Sequence, residues 1–481
     1  MTQTIQISPV TTYSPARVAA PSAPQPTAKP VVQKSAVSRG SRTQRVSQAG
    51  YTEPSTTVVE GGPEEVYYEG GGPAAGLSPI ADHAAPCEDC GVPGVEMYDG
   101  DWGPGDTYGG SGFVPWWGFA PGRLWVRSEY LLWWTEGAHL PPLVTTSPQG
   151  TSQTNAGVLP GATVLLGNEE INSGSRSGGR ITFGLRPNGC SPWGIETSYM
   201  RLGNESTFFA AEGEGGRPIL ARPFNFVWNN DPDNPGGDEN GPAAHLISFA
   251  DAQGTLFEGA VAVESSTTLQ GVELLMRRRV SDWCTGGVDL VAGWRYWRLD
   301  DDLIILESVD RLRAPTATVA LTDVFQTENR FNGGELGVIA DAQWCRWSFE
   351  GLLKVAIGRT ESEVTIDGST VTTSGTPPVD ATSPFGLLAL PSNIGTYQEE
   401  EFAMVPEFGL SVGYDLTCRL RLTFGYTLVY WGQVARAADQ IDLDLNLPVE
   451  GEQTGPDRPV FPFATTDFWA QGMNFGLDFR F

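Results

Sequence analysis

The sequence predicts an all-β protein: a transmembrane, antiparallel, up-and-down β-barrel of about ten strands. Three observations carry this prediction: long segments with apolar residues at every second position, strictly alternating short and long connections, and a C-terminal segment of alternating aromatic residues. A period of two is typical of extended strands, because successive side chains point to opposite faces. The best segments have about ten or more residues, which is the length that a tilted strand needs to cross a bilayer.

Ten segments of this kind follow one another from residue 123 to the end of the chain. The clearest pair is Phe402–Tyr414 and Leu420–Tyr430, which a short break at Asp415–Cys418 separates. One face of both segments is apolar and aromatic, and the other mixes glycine, small polar residues and charges. Two such segments joined by a tight turn predict an antiparallel hairpin. The remaining eight segments are 123–134, 181–186, 193–199, 268–278, 288–296, 335–341, 347–357 and 473–481.

The connections between these segments alternate between short turns and long loops. We predict short turns at Pro187–Pro192, between Arg278 and Val288, at Gln343–Arg346 and at Asp415–Cys418. The long loops include the acidic run 229–240, the segment around 300–302, Glu361–Gln398 and Gln433–Phe468. Short periplasmic turns and long extracellular loops are typical of bacterial outer-membrane barrels, so we expect the protein in the outer membrane.

A twelve-stranded barrel is the alternative. It requires Glu205–Ala211 and Leu256–Val263 to form an additional membrane hairpin. We interpret these two segments as strand extensions above the bilayer, and therefore favour ten strands.

We predict that residues 1–115 form a disordered, Pro- and Gly-rich periplasmic region and that residues 116–481 form the barrel. The first fifty residues contain six basic side chains and no acidic one, and they lack the apolar surface needed to fold. This region is either a solvated linker or a periplasmic tether that contacts an anionic polymer. Residues 1–20 lack the continuous apolar segment of a secretory signal, so we expect the true start of the protein to lie upstream.

The last strand carries a second signal. It ends in Phe475, Leu477, Phe479 and Phe481 on one face. This pattern resembles the C-terminal signature by which outer-membrane proteins are recognised for insertion. We therefore expect the barrel-assembly machinery as a partner, together with outer-membrane lipid.

The opposite faces of the strands predict a charged lumen in which eight basic side chains balance eight acidic ones. Ten strands make a barrel of nearly the size that interior side chains fill, whereas open aqueous channels are associated with 16–18 strands. Unpaired charges in such a narrow interior are costly, so we expect interlocked ion pairs and a closed or nearly closed lumen. The alternative is a narrow channel whose charged rings select ions. The predicted lumen residues are Arg127, Glu129, Arg186, Glu196, Glu273, Arg277, Asp289, Arg295, Glu335, Glu350, Lys354, Glu407, Arg419, Arg421, Asp478 and Arg480.

Four cysteines, Cys190, Cys284, Cys345 and Cys418, each lie at one of the predicted short turns. An oxidising periplasm permits disulfides between neighbouring turns, although the sequence does not assign the pairing. The alternative is that these cysteines bind zinc, but no paired Cys-x-x-Cys occurs among the four. Cys87 and Cys90 form a separate pair, for which a local disulfide is the simplest interpretation.

The remaining composition argues against other functions. A net charge of −27 disfavours nucleic-acid binding, and three histidines offer few bases for a catalytic triad. We predict no enzymatic activity, no cofactor and no specific metal site. The acidic loops are expected to bind divalent cations weakly at most.

The segment Glu129–Pro148 resembles the opening signature of the planctomycete putative beta-barrel porin family, beta barrel porin seven. The resemblance covers about residues 120–481. It implies an outer-membrane barrel that acts as a porin or narrow channel for small solutes or ions, and it supplies no catalytic residues. Two alternatives remain: a structural or surface-binding barrel without transport, and a secreted β-sandwich that binds a partner through its loops.

Overall fold

The computed structural model describes residues 124–186, 191–227, 240–375, 377–447 and 456–481. These residues form nineteen β-strands and one short 3-10 helix, Ala438–Gln440. Within these ranges, no helix is long and apolar enough to cross a bilayer. The N-terminal region 1–115 and nearly all of the acidic run 229–240 lie outside the described residues.

Ten of the strands close into an antiparallel ring, which confirms the predicted barrel of ten strands. Each strand pairs with the next one in the ring, and the last strand pairs back with the first. The ring strands are β1 (Leu124–Thr135), β6 (Ser175–Leu185), β7 (Trp193–Leu202), β11 (Gly254–Trp283), β12 (Gly286–Arg311), β13 (Ala317–Trp344), β14 (Trp347–Ser374), β16 (Gly395–Asp415), β17 (Leu420–Ala435) and β19 (Thr465–Arg480).

The segment that could have made a twelve-stranded barrel is a strand extension. We call the half of each ring strand that lies farther from the short turns its outer half, and the other its inner half. Strand β8 (Glu205–Gly213) pairs with residues 259–267 in the outer half of β11. The inner half of β11, residues 270–278, pairs with β7. Both strands therefore lie along the same edge of β11, one above the other, and no additional hairpin enters the ring.

Several ring strands are much longer than the sequence pattern predicts. Strands β11 to β14 contain 26 to 30 residues, so residues 300–302 lie within β12 and not in a loop. The predicted loop that begins at Glu361 likewise starts inside β14. The reason is that the apolar side chains lie on the outward face in one half of the strand and on the inward face in the other half. Leu290 and Trp294 point outward and are exposed, whereas Leu303 and Ile305, farther along β12, point inward and are buried.

The long connections fold into the outer half of the barrel and do not extend freely from it. Strand β9 (Ile219–Phe226) pairs with β3 (Val144–Ser147) and β10 (Gly241–Asp251) in antiparallel fashion and with β18 (Asp444–Leu445) in parallel. Apolar side chains from these connections pack with the outer halves of the ring strands in one core, which includes Leu143, Leu220, Ile305, Phe325 and Leu388. The remaining strands are β2 (Ala138–Leu140), β3 (Val144–Ser147), β4 (Thr163–Leu166), β5 (Glu169–Ile171), β9 (Ile219–Phe226), β10 (Gly241–Asp251), β15 (Val379–Ser383) and β18 (Asp444–Leu445).

The opposite end of the barrel, which we call the short-turn end, has tight turns at 284–285, 345–346 and 416–419. Cys284, Cys345 and Cys418 are exposed in these turns, and the thiols of Cys284 and Cys345 are free. The disulfide that neighbouring turns would permit is therefore not formed by these two cysteines. Cys87, Cys90 and Cys190 lie outside the described part of the chain.

A belt of large apolar side chains covers the outer face of the ring near the short-turn end. Each ring strand contributes at least one such side chain, with between 40% and 65% of its surface exposed. Phe475, Leu477 and Phe479 of the predicted insertion signal lie in this belt, and Phe481 is exposed beside it. The representatives are Tyr130, Phe183, Ile195, Leu274, Trp294, Leu336, Leu353, Phe408, Phe424 and Phe475.

Candidate functional site

The lumen is the candidate site, and it consists of one cavity and two filled layers. At the short-turn end lies a cavity that we call the arginine vestibule. Above it lies the charged cluster, formed by Glu273, Arg295, Glu335, Lys354 and Glu407. Above that lies the tryptophan layer, formed by Trp133, Trp297 and Trp431.

The charged cluster joins five consecutive ring strands, β11 to β14 and β16. The Lys354 Nζ lies 2.8 Å from a Glu273 oxygen, 3.0 Å from Glu407 and 3.5 Å from Glu335. The Arg295 guanidinium lies 2.5 Å from Glu273 and 2.6 Å from Glu335, and it also contacts Glu407. Two cations thus share three carboxylates in a buried interior, where paired charges are strongly preferred to single ones.

The three carboxylates of the charged cluster are also close enough to one another to ligate a metal ion. Their oxygen atoms lie within 4.8 Å of one another. Lys354 and Arg295 already provide their counter-charges, so a divalent cation would have to displace these side chains. The arrangement therefore acts as an ion-pair network.

A second pair extends this network and joins a predicted lumen residue, Glu129, to Arg180, which was not among the predicted lumen residues. The Arg180 guanidinium donates to both carboxylate oxygens of Glu129, at 2.6 Å and 3.0 Å. It also lies 3.9 Å from Glu407. Arg180 has the same parity along β6 as Arg186, so continuing the alternation backwards through Thr182 would have placed it in the lumen.

The arginine vestibule is a cavity of about 310 Å³ at the short-turn end. Arg127 pairs there with Glu350 at 2.8 Å, and Arg277 with Glu196 at 2.5 Å and Asp289 at 2.8 Å. The remaining predicted lumen residues at this end, Arg186, Arg421, Asp478 and Arg480, line the same cavity. Arg419 does not enter the lumen. It is exposed in the turn at 416–419, because the strand begins only at Leu420.

The tryptophan layer closes the lumen above the charges. Trp133, Trp297 and Trp431 are each at most 1% exposed. Trp431 meets the edges of Trp297 and Phe331, with ring centroids 6.3 Å and 6.2 Å apart. The Trp133 Nε1 donates to Asn474 at 2.7 Å, and the Trp431 Nε1 donates to Thr360 at 2.8 Å.

Two glycines in the barrel wall leave room for these indoles. A Cβ at Gly271 would lie 2.4 Å from the Trp297 indole nitrogen, and one at Gly472 would lie 2.7 Å from Trp133 Cδ1. Glycine at these positions lets the rings lie flat against the backbone. The sequence does contain the signal for this layer: the inward positions change from charged to apolar, from Glu129 to Leu131 and Trp133.

A separate network of ion pairs lies above the apolar belt. It is part of the outer core, by which we mean the apolar core that the long connections form with the outer halves of the ring strands. Arg222 donates to Asp323 at 2.7 Å and to Glu307 at 3.4 Å, and His245 Nε2 lies 2.7 Å from Glu307. Burial alone would raise the pKa of the Glu307 carboxyl, but the charges of His245 and Arg222 outweigh burial and hold that pKa below its usual range. Burial alone would lower the pKa of the Arg222 guanidinium, but the negative charges of Asp323 and Glu307 raise this pKa above its ordinary value.

We expect the Glu307→Gln substitution to remove one pH-dependent part of the stability. Because the pKa of Glu307 is lower in the folded state, its contribution is complete above the ordinary carboxyl pKa of about 4.3 and disappears as pH falls through the folded-state value. The melting temperature of the variant should therefore lie below that of the wild type at neutral pH, and the difference should shrink in acid. Thermal unfolding followed by circular dichroism at several pH values measures this. Glu264→Gln, an exposed site on the neighbouring strand, is the control.

The family model described as Putative beta barrel porin-7 (BBP7) matches residues 125–481. This chain belongs to that family. The match to BBP7 covers the described ring from the second residue of β1 to the end of β19. No curated protein matches the BBP7 chain in sequence.

Several solved outer-membrane proteins are similar to the BBP7 chain. The outer membrane protease OmpT from Escherichia coli is 11% identical, with a TM-score of 0.34, over 76% of this chain and 98% of that one. A loop L8 deletion mutant of OmpT from Vibrio cholerae is 7% identical, with a TM-score of 0.15, over 74% and 98%. A TodX deltaS2S3 mutant, a monoaromatic hydrocarbon channel, is 8% identical, with a TM-score of 0.19, over 75% and 91%. The ten-stranded barrel is established by this chain's own closed ring of strand pairs.

Proposed function

We propose that this protein is an outer-membrane barrel with a sealed lumen, which anchors a folded β-structure at the cell surface. The observation that carries the proposal is the tryptophan layer, whose three indoles are at most 1% exposed across the interior of the ring. A diffusion pore requires a continuous water-filled path, and rings of ten strands are small enough for side chains to fill.

The proposal fixes an orientation. Short turns face the periplasm and long connections face the cell exterior, as in bacterial outer-membrane barrels generally. The apolar belt then contacts lipid, and the C-terminal strand with Phe475, Leu477 and Phe479 is presented to the barrel-assembly machinery. The outer core, with its own packed apolar side chains, lies outside the bilayer.

The charges in the lumen support sealing more than ion conduction. Selectivity rings present charges of one sign to a watery path. In the charged cluster, the opposite charges of Lys354 and Glu407 lie 3.0 Å apart, and both side chains are about 5% exposed or less. The proposal assigns no catalytic role.

Planar-bilayer recording of the folded full-length protein tests the proposal. Folding is first established by a faster-migrating unboiled band on a gel and a β-type circular dichroism spectrum. We then expect no discrete conductance steps from the wild-type protein. Stepwise currents that grow with protein concentration would contradict the sealed lumen and favour the narrow ion channel.

A further inference from the structure

The arginine vestibule has a property that a sealed barrel does not require: its wall carries more guanidinium groups than carboxylates. Six arginines line the cavity, against the three carboxylates of Asp341, Glu350 and Asp478. The whole chain carries a net charge of −27, so this basic surface runs against the composition. The six are Arg127, Arg186, Arg277, Arg279, Arg421 and Arg480.

Carboxylates behind the wall satisfy some of these arginines but not all of their donors. Asp289 is fully buried, and it accepts from Arg277 at 2.8 Å and pairs with Arg279 at 2.8 Å. Arg421 pairs with Asp415 at 2.7 Å. Arg277 also pairs with Glu196 at 2.5 Å and Arg279 with Asp341 at 2.6 Å, so carboxylates compensate these three arginines, which shape the cavity.

Arg186 and Arg480 are the two arginines with the weakest partners. Arg186 is the third guanidinium on Asp289, at 3.4 Å. The Arg480 guanidinium lies 3.9 Å from Asp478, and no shorter ion pair of this side chain occurs among the described residues. The buried Nε of neighbouring Arg127 also has no hydrogen-bond partner in this part of the structure. Donors from Arg186 and Arg480 are thus available to one small volume.

The cavity is kept open by the way its walls are built. A Cβ at Gly184 would lie 1.8 Å from the ring of Trp125, so the indole lies flat against that strand. A Cβ at Gly413 would lie 2.7 Å from the Arg421 side chain, which likewise follows the wall. Both side chains line the space without crossing it. The charged cluster and the tryptophan layer close its upper end, so molecules enter and leave only through the short-turn end.

We propose that the arginine vestibule binds a small multivalent oxyanion of the phosphate type, taken up from the periplasmic side. Guanidinium groups bind phosphate oxygens through paired, charge-assisted hydrogen bonds. A volume of about 310 Å³ holds a phosphate-bearing small molecule and excludes a polymer. This inference takes the periplasmic side from the proposed orientation, but it does not depend on the sealed lumen, because the site needs only the short-turn opening.

Calorimetric titration of inorganic pyrophosphate into the folded full-length protein, in neutral detergent, tests the site. We expect saturable binding that weakens as salt is added. Arg186→Gln and Arg480→Gln should each lower the affinity about tenfold or more, since each removes a charged hydrogen-bond donor. The matched control is Arg359→Gln, an arginine 72% exposed on β14 and paired with Glu400.

Each variant is shown to be folded by its unboiled band before titration, because Arg480 lies next to the C-terminal residue. The inference is overturned if the wild-type protein binds no pyrophosphate saturably. It is equally overturned if both vestibule variants, once folded, bind pyrophosphate as tightly as Arg359→Gln.

Discussion

Replacing Trp133, Trp297 and Trp431 together with alanine is expected to turn a silent barrel into a conducting one. The three indoles are the largest side chains of the buried apolar layer above the charged cluster, so their removal takes away most of its volume, although Phe331 and Phe468 remain in it. Each truncation also costs about 3–5 kcal/mol of stability through lost packing. Single-channel recording in planar bilayers, compared with the wild-type protein, measures the effect.

The matched control replaces three outward tryptophans, Trp193, Trp294 and Trp347, which are 40% to 46% exposed. This variant loses the same number of indoles from the outer face, and it should remain silent. If the inner triple variant migrates as a folded barrel and still shows no conductance, the tryptophan layer is not the seal. The charged cluster would then be the next candidate.

The Lys354→Met substitution is expected to be the most destabilising single change in the charged cluster. Methionine keeps most of the side-chain volume but leaves Arg295 as the one cation of the cluster for three buried carboxylates. Breaking a buried ion-pair network by removing one partner costs about 3–5 kcal/mol. Lys354 is also the only lysine after residue 34, so no other lysine of the barrel can substitute for it. Urea unfolding followed by tryptophan fluorescence gives the change.

A second substitution separates charge from packing. Glu335→Gln removes one carboxylate next to Lys354, so the double variant Lys354→Met/Glu335→Gln has two carboxylates left beside Arg295. We expect the double variant to be more stable than Lys354→Met alone, because an unpaired buried charge costs more than a neutral amide. A double variant that is less stable than Lys354→Met would show that the cluster contributes through shape and not through charge balance.

The membrane half of the fold could be predicted from the sequence because lipid imposes one rule on every strand. Outward positions must be apolar there, and Leu290 and Trp294 obey that rule. The outer half could not be predicted in the same way. There the inward positions hold apolar residues such as Leu303 and Ile305. The apolar face is therefore the inward one, which is the opposite of the pattern that identifies the membrane half.

The site could be predicted only in part. Parity along each strand identified which charges face inward, but pairings such as Arg127 with Glu350 join residues 223 positions apart. Such partners depend on how the ring closes, which no local pattern contains. The tryptophan layer was missed for a related reason: parity places Trp133 on the inward face with Glu129, but only the closed ring brings it to one level with Trp297 and Trp431.

Strand β12 carries Arg295, Trp297 and Glu307 on one face, so a single strand contributes to the charged cluster, the tryptophan layer and the outer network. It pairs with β13 along all 26 residues without a shift in register. A ladder of this length spans roughly 85 Å and bends sharply only at bulges or broken pairs. The sheet therefore behaves as a stiff rod through the membrane. In the proposed orientation, one unbroken ladder therefore joins the structure at the cell surface to the side chains that seal the lumen.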